Sequence, residues 1–185
     1  MPISDMLDAM TADGSVCYGT PDPFYGQLNL RWGPFTLDPA ATSSNAKCKK
    51  FFTEADNGLV QSWKGHRVFI NPPYSAETGQ WMEKIYTEAA RGTFVVALVF
   101  ARTDTLWWQQ YAMCAPEIYF TCGRISYTSP TGIKTKTPFF GSAVLVYPGR
   151  VLSVEDAMGP RISRIFKSPE QEATFALDCI DLGMV

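Results

Sequence analysis

The chain has 185 residues, of which 46% are hydrophobic and 18% are charged. This composition predicts one folded domain with a sizeable core, and it excludes an intrinsically disordered chain. The formal net charge of -2 argues against strong non-specific binding to nucleic acid, although a local basic patch can still provide phosphate contacts.

Membrane, secretion and metal signals are weak throughout the sequence. The longest apolar run, Phe94–Ala101, is too short to cross a bilayer. The N-terminal sequence MPISDMLDAM lacks the basic and apolar regions of a signal peptide, so we expect a cytoplasmic protein with no membrane partner. The 5 cysteines are odd in number and form no CxxC pair, which favours reduced thiols and predicts no metal site.

An N-terminal arm, residues 1–17, precedes the first predicted helix. Thr20 is a candidate N-cap for this helix, with Pro21 at the first helical position. The helix is predicted to run to about Arg31, because the following Gly33-Pro34 pair ends a helix.

A short buried strand, Phe35–Asp38, is predicted next and leads into a loop of small residues. Small side chains allow the backbone to approach a ligand closely, but an Asp at a strand end is as often a helix cap or turn former. Phe51-Phe52 is predicted as a vestigial strand. The lysines before it, Lys47, Lys49 and Lys50, are interpreted as a solvated face.

The stretch from Val68 to Tyr74 carries the strongest functional signal. Val68, Phe69 and Ile70 favour a strand, and the two prolines after Asn71 cannot continue it because neither offers an N–H group. We therefore expect the Asn71 amide at the carboxyl end of a strand. In an open α/β sheet, ligands bind at that edge.

Asn71-Pro72-Pro73-Tyr74 resembles the catalytic motif of amino-methyltransferases that act on adenine or on glutamine. The lone pair of such an amino group is delocalised, so its nitrogen is a poor nucleophile. The Asn71 side-chain oxygen and the Pro72 carbonyl can accept hydrogen bonds from the amino group and so free the lone pair, while Tyr74 would stack on a flipped base. A proline-rich turn capped by Asn71 is the alternative interpretation.

A helix at Gly79–Arg91 and a strand at Thr93–Phe100 are predicted next, which with the preceding strand make a right-handed crossover. The strand is continuously apolar, as expected when helices cover both faces of a parallel sheet. Arg102, just beyond it, could pair with Asp104, contact a DNA phosphate or hold a cofactor carboxylate. A helix at Leu106–Ala115 follows.

Two short strands, Ile118–Phe120 and Ile125–Tyr127, are predicted next, and Ser142–Tyr147 would return as the last strand of a hairpin. After Gly149 the chain is mixed. Helices at Val151–Met158 and Pro169–Leu177 could pack on the sheet or on a partner subunit.

The loop 129–138 is predicted to touch DNA, because it is a basic segment on a rigid scaffold and carries Lys134 and Lys136. Phe139 or Phe140 could line a base pocket, although core packing is the commoner fate of such a pair.

Several blocks recur in one order along residues 18–148. They are Thr20-Pro21, Phe35–Thr42, Asn45–Cys48, Phe52–Glu54, Gly58-Leu59, Asn71–Tyr74, Ala101–Thr105, Trp107-Trp108 and Gly123-Arg124. In this order they resemble the bacteriophage and prophage family of DNA N6-adenine methyltransferases. The chain departs from the pattern where Pro39–Ser44 replaces the usual glycine-rich cofactor loop, and the resemblance does not reach beyond about Gly149.

The resemblance implies an α/β, Rossmann-like S-adenosylmethionine-dependent methyltransferase fold, with a reduced mixed sheet, helices on both faces and a C-terminal β-hairpin. It implies a methyltransferase domain at 18–148. The extension at 149–185 would pack on that domain or on a partner, so a homodimer is one expected arrangement. The donor would be S-adenosylmethionine and the partner double-stranded DNA, in the cytoplasm of a bacterial host.

The resemblance also implies the site residues. Asn71, Pro72, Pro73 and Tyr74 would take the catalytic roles described above. The cofactor-binding residues would be Thr20, Pro21, Phe24, Asp38, Ala40 and Asn71. The DNA-binding residues would be Tyr74, Arg102, Lys134, Lys136 and Phe139.

The predicted activity is methylation of N6 of a flipped adenine at specific sites in double-stranded DNA. Two alternatives stay open. An acceptor in RNA, or a glutamine in protein, would suit the acidic net charge and small size. A non-catalytic protein that binds the cofactor or DNA would keep the same fold. Protection from host restriction and regulation are both compatible biological purposes.

Overall fold

The computed structural model describes residues 19–128, 140–150, 160–165, 168 and 170–173. The helices in these ranges are α1 (Asp22–Trp32), α2 (Thr78–Ala90) and α3 (Leu106–Gln110), and a 3-10 turn lies at Ala112–Cys114. The strands are β1 (Leu37–Asp38), β2 (Lys50–Phe51), β3 (Arg67–Ile70), β4 (Phe94–Phe100), β5 (Glu117–Thr121), β6 (Ser142–Pro148) and β7 (Arg161–Ile165).

The described strands form one 7-stranded sheet in the order β2-β1-β3-β4-β6-β5-β7. β1 pairs in parallel with β2 and β3, and β3 pairs in parallel with β4. β6 runs antiparallel to both β4 and β5, and β7 adds in parallel to β5 at the far edge. The predicted mixed sheet is therefore confirmed, and the parallel strands β1, β3 and β4 end at the same edge.

The central strand β4 is buried on both faces of the sheet. Val95, Ala97 and Val99 pack in one core cluster, which also holds buried residues of α2 and α3. The alternate residues Val96, Leu98 and Phe100 pack in a second cluster with Phe24 and Leu28 of α1. Helices on both faces, as predicted, explain why this strand is continuously apolar. The arrangement is consistent with a methyltransferase-like fold.

Helix α2 joins the core through an apolar stripe and one buried carboxylate. Trp81, Ile85 and Ala89 recur every fourth residue, so they lie on one face of the helix, and all three are buried. Glu88 is also buried, and its carboxylate accepts hydrogen bonds from the Lys84 ammonium at 2.6 Å and the Trp63 backbone N–H at 3.3 Å. A buried carboxylate requires such partners because it has lost its hydration.

Most long elements lie where the sequence predicts them. The predicted helices 21–31 and 79–91, the strand 93–100 and the vestigial strand 51–52 agree with α1, α2, β4 and β2 within about one residue. The helix predicted at 106–115 is shorter, because α3 ends at Gln110 and continues only as the 3-10 turn.

Three local predictions are wrong. Pro21, not Thr20, occupies the N-cap of α1, and no side chain caps that helix. Residues 125–127 form no strand. The side chains of Ile125 and Tyr127 are buried in the core, and this burial accounts for the apolar pattern that suggested a strand. The antiparallel partner of β6 is therefore β5, with Glu117 opposite Val146. The edge strand β7 was not predicted from the sequence.

Other predicted segments fall on parts of the chain that the structure does not describe. The arm 1–17, the loop 129–138 and the helix 151–158 lie outside the described residues. Of the helix predicted at 169–177, residues 170–173 are described, and they are helical. No helix in the described ranges has the length and apolar character needed to cross a membrane.

Gly58 allows two loops to meet beside the strand ends. A Cβ atom at this position would lie 2.0 Å from the Pro39 carbonyl oxygen. Because backbone atoms would have to shift, we expect Gly58→Ala to lower the free energy of unfolding by about 2 kcal/mol, measured by urea denaturation. Gly26→Ala is the matched control: a Cβ there meets nothing within 4 Å, and alanine is the better helix former. An equal loss in both variants would contradict the expectation.

Candidate active site

A cleft lies at the edge of the sheet where the parallel strands β1 and β3 end. Its empty space is about 220 Å³, part of it open to solvent. The lining residues come from the strand ends and the loops that follow them: Gly19, Thr20, Asp38, Ala40, Asn45, Lys47, Phe69 and Asn71. The cleft therefore has polar walls on a floor of buried strands.

Asp38, the last residue of β1, is the buried acidic group of the cleft. Its carboxylate accepts hydrogen bonds from the backbone N–H groups of Lys47 at 3.0 Å and Ala40 at 3.5 Å. Burial raises the pKa of Asp38 to about 6, and the two backbone hydrogen bonds oppose that rise. Asp38 thus holds the following loop in place and presents a carboxyl group that can change charge near neutral pH.

Lys47 brings a positive charge to the same cleft. Its side chain is only 13% exposed, and its ammonium pairs with the carboxylate of Asp22, which is 88% exposed. The interpretation of Lys47 as part of a solvated face is therefore wrong. The backbone hydrogen bond to Asp38 turns the loop so that this lysine lies against the cleft.

Thr20 supplies a buried hydroxyl with no partner among the described residues. The side chain is 3% exposed and lines the cleft. A buried hydroxyl without a hydrogen bond is costly, so such a group commonly marks a place that a ligand completes. The set of one carboxylate, one ammonium and one free hydroxyl fits the zwitterionic methionine part of S-adenosylmethionine.

Asn71 lies directly after β3, half-buried at the rim of this cleft. Its side-chain Oδ1 accepts a hydrogen bond from the Tyr74 hydroxyl at 2.9 Å. Pro72 is buried, and the Pro73 carbonyl accepts a hydrogen bond from the Thr78 hydroxyl at 3.2 Å. The segment is thus anchored to α2 at one end and to β3 at the other.

The Tyr74 ring is packed inside the protein. It is 6% exposed and stacks on Phe100 with the ring centroids 3.8 Å apart. The stacking of Tyr74 on an adenine base stays a prediction. In this structure one face of the ring is already covered, so a base would have to approach the other face.

The structure brings together four of the six predicted cofactor residues. Thr20, Asp38, Ala40 and Asn71 line the cleft. Pro21 instead caps α1, and Phe24 is 3% exposed in the core beneath it, so neither is among the lining residues.

The predicted DNA contacts are only partly described. Arg102 pairs with Asp104 at 3.5 Å and lies 4.4 Å from the centroid of the Phe140 ring. The first of its three predicted roles is therefore present in the structure. Lys134, Lys136 and Phe139 lie outside the described residues.

Four cleft residues were missed as site residues: Gly19, Asn45, Lys47 and Phe69. Asn45 and Lys47 belong to the Asn45–Cys48 block, which took part in the family resemblance, so the block itself was a signal. No periodicity or local motif distinguishes Lys47 from Lys49 or Lys50. Lys47 is placed at the cleft by the hydrogen bond from its backbone N–H to the Asp38 carboxylate, which joins residues nine apart in the sequence.

Comparisons with known proteins find related sequences. Matches include DNA N-6-adenine-methyltransferases of Escherichia phage T1, 30% identical over 102 residues (55% of this chain, 42% of the relative), and of Haemophilus phage HP1 (strain HP1c1), 33% identical over 103 residues (55% and 60%). The putative methyltransferase YfdM of Escherichia coli (strain K12) is 40% identical over 62 residues, which is 30% of this chain and 67% of that protein.

The two phage relatives are longer than the region they share with this chain, which spans 42% and 60% of their lengths. The family model described as "DNA N-6-adenine-methyltransferase (Dam)" matches residues 11–150, which include the strands and loops that build the cleft. The chain therefore belongs to the phage family of DNA N-6-adenine-methyltransferases.

Proposed function

We propose that this protein is an S-adenosylmethionine-dependent DNA methyltransferase that modifies N6 of a flipped adenine at specific sites in double-stranded DNA. The observation that carries the proposal is the position of Asn71. Its amide lies at the carboxyl end of β3, on the rim of a cleft that also holds Asp38, Lys47 and the unpartnered hydroxyl of Thr20. The strand order, with an antiparallel β6 beside β4, supports a Rossmann-like interpretation of the fold.

The cofactor would be held by the polar walls of the cleft. Lys47 would bind the methionine carboxylate, while Asp38 attracts the positive amino and sulfonium groups, and Thr20 completes its hydrogen bonding with the ligand. Ala40 is small, which lets the backbone approach the ligand closely. When bound, S-adenosylmethionine supplies an electrophilic methyl group on its sulfonium.

The amino group of adenine needs activation because its lone pair is delocalised into the ring. Asn71 Oδ1 and the Pro72 carbonyl would accept hydrogen bonds from the two amino protons and hold the nitrogen in a more tetrahedral shape. As the nitrogen gains positive charge in the transition state, both hydrogen bonds strengthen. After the transfer one proton leaves the nitrogen for solvent, so the residues act by position and dipole rather than as a strong base.

DNA would bind across the same edge of the sheet. Arg102, Lys134 and Lys136 would contact phosphates, while Tyr74 and Phe139 would contact the flipped base. Because the net charge is -2, such contacts would have to be local, and binding would weaken steeply with salt. A homodimer, a cytoplasmic location in a bacterial host and a link to restriction and modification are further parts of this proposal.

Removal of the Asn71 amide tests the activity. We expect Asn71→Ala to reduce single-turnover transfer of labelled methyl groups to unmethylated DNA by about 100-fold or more, because one of two acceptors is lost. Gln80→Ala is the control, since it removes a carboxamide from an exposed position on α2. Mass spectrometry of the digested DNA should identify N6-methyladenine. Label found only in RNA or protein, or equal label with Asn71→Ala, would overturn the proposal.

The charge of Asp38 gives a pH dependence to cofactor binding. Because the pKa of Asp38 is about 6, its carboxylate is ionised at pH 8 and largely protonated at pH 5. The ionised form attracts the cationic cofactor, so affinity should fall as the pH is lowered through about 6, measured by calorimetry. Asp38→Asn should show weaker binding that changes little over this range. The same slope in both proteins would contradict the assignment.

A further inference from the structure

A line of hydroxyl groups lies beneath the Asn71–Tyr74 segment. The Tyr74 hydroxyl lies 2.9 Å from Asn71 Oδ1 and 3.3 Å from the Leu98 carbonyl oxygen. The Tyr127 side chain is hydrogen-bonded to Tyr74, and the Tyr127 hydroxyl lies 2.9 Å from Ser142 Oγ. The line therefore runs from the first residue of β6 to the side chain of Asn71.

The groups in this line are fixed by packing. Tyr74, Tyr127 and Ser142 are 6%, 0% and 1% exposed. The Tyr74 ring stacks on Phe100, with an interplanar angle of 23°, and Tyr127 meets the same Phe100 ring edge-on at 5.7 Å. Phe100 is in turn paired with Ser142 across β4 and β6. Rings clamped in this way give their hydroxyls little freedom to move.

A carboxamide has nearly the same shape when its oxygen and nitrogen exchange places, but only the oxygen can accept a hydrogen bond. Asn71 can activate an amino group only when the oxygen faces it. A neighbouring donor that bonds to one lone pair of Oδ1 distinguishes the two orientations, and the second lone pair stays available for the substrate.

The hydroxyl line can run in the direction that this task needs, because either hydroxyl of the Tyr127–Ser142 pair can donate. When Ser142 donates to Tyr127 and Tyr127 donates to Tyr74, the single hydrogen of Tyr74 is left for Asn71 Oδ1 at 2.9 Å, which lies closer than the competing Leu98 carbonyl oxygen at 3.3 Å. Hydrogen bonds aligned in one direction reinforce each other. Burial raises the pKa of Tyr127 to about 12, so its hydroxyl keeps its hydrogen under ordinary conditions.

We propose that Tyr74, Tyr127 and Ser142 are positioning residues, which hold the Asn71 carboxamide with its oxygen towards the acceptor amine. The proposal rests on the function proposed above, because it assigns an orientation to the side chain that would activate adenine. It adds Tyr127 and Ser142 to the residues on which the reaction depends, although neither is expected to touch substrate or cofactor.

Substitution of tyrosine by phenylalanine tests the line without removing a ring. We expect Tyr74→Phe to lower kcat about 30-fold and Tyr127→Phe about 5-fold, while the KM for DNA and the Kd for S-adenosylmethionine stay within about twofold. The double variant should be no slower than Tyr74→Phe, because the line is already broken at its last link.

Tyr147→Phe is the matched control. Tyr147 is also fully buried, and its hydroxyl donates to the Tyr111 carbonyl at 2.8 Å, in the other core cluster. Like Tyr74→Phe, Tyr147→Phe removes one buried hydroxyl oxygen, so the two variants should lose a similar amount of stability. The kcat of Tyr147→Phe should nevertheless stay within about twofold of that of the original protein. An equal fall in kcat for Tyr147→Phe and Tyr74→Phe would overturn the proposal, because the loss would then reflect stability alone.

Nuclear magnetic resonance of the Asn71 side-chain NH₂ group gives a readout that needs no turnover. Its signals can be assigned by their loss in Asn71→Ala. In Tyr74→Phe and Tyr127→Phe these signals should shift, and their hydrogens should exchange faster with solvent, whereas Tyr147→Phe should leave them unchanged. Unchanged signals in Tyr74→Phe would overturn the positioning role.

This readout separates the two proposals. Shifted Asn71 signals together with normal methylation by the original protein support both. If the signals shift but the original protein methylates no DNA, the positioning of the amide stands and the proposed function fails.

Discussion

The register between β3 and β4 is the constraint on which the site depends. Ile70 pairs with Ala97, so Asn71 leaves the sheet beside Leu98 of β4. The two prolines then turn the chain until Tyr74 reaches the Leu98 carbonyl. Because β6 runs antiparallel to β4 and begins opposite Phe100, Ser142 arrives at the same edge. A shift by one residue in any of these pairings would move every group to the opposite face.

The charged groups of the described core divide into two kinds. Glu88 is buried with a lysine and a backbone N–H as partners, and it fastens α2 to the loop before β3. Asp38 is equally buried, and this burial raises its pKa even though two backbone N–H groups donate to its carboxylate. Its nearest cation in the cleft, Lys47, is paired with Asp22. The edge of the sheet therefore keeps polar groups that are less completely satisfied than those of the core, as expected where a ligand binds.

Asn71 follows a strand and lines the cleft at its end, as the sequence predicts, because the signals for that placement are local. In Val68–Tyr74 the strand-forming residues, the prolines that end the strand and the predicted hydrogen-bond acceptors are consecutive in sequence. The apolar run of β4 likewise predicts a buried strand without knowledge of the neighbouring strands. The missed features depend on contacts between distant residues. Lys47 enters the cleft through a turn built on Asp38, and Tyr127 is buried beside Phe100 although its segment resembles a strand. Neither placement can be predicted from local sequence, because each depends on a contact between residues that are distant along the chain.

The two halves of the sheet differ in the length over which neighbouring strands are paired. β1 and β2 contain 2 residues each, whereas β4 and β6 pair along 7. Local stability follows the density of ladder hydrogen bonds and buried contacts. The wall that carries Asp38 and Lys47 is therefore held by fewer ladder hydrogen bonds than the β4–β6 pair. In the function proposed above, a used donor would leave by a brief loosening of this wall, while the Asn71 amide would keep its position between turnovers.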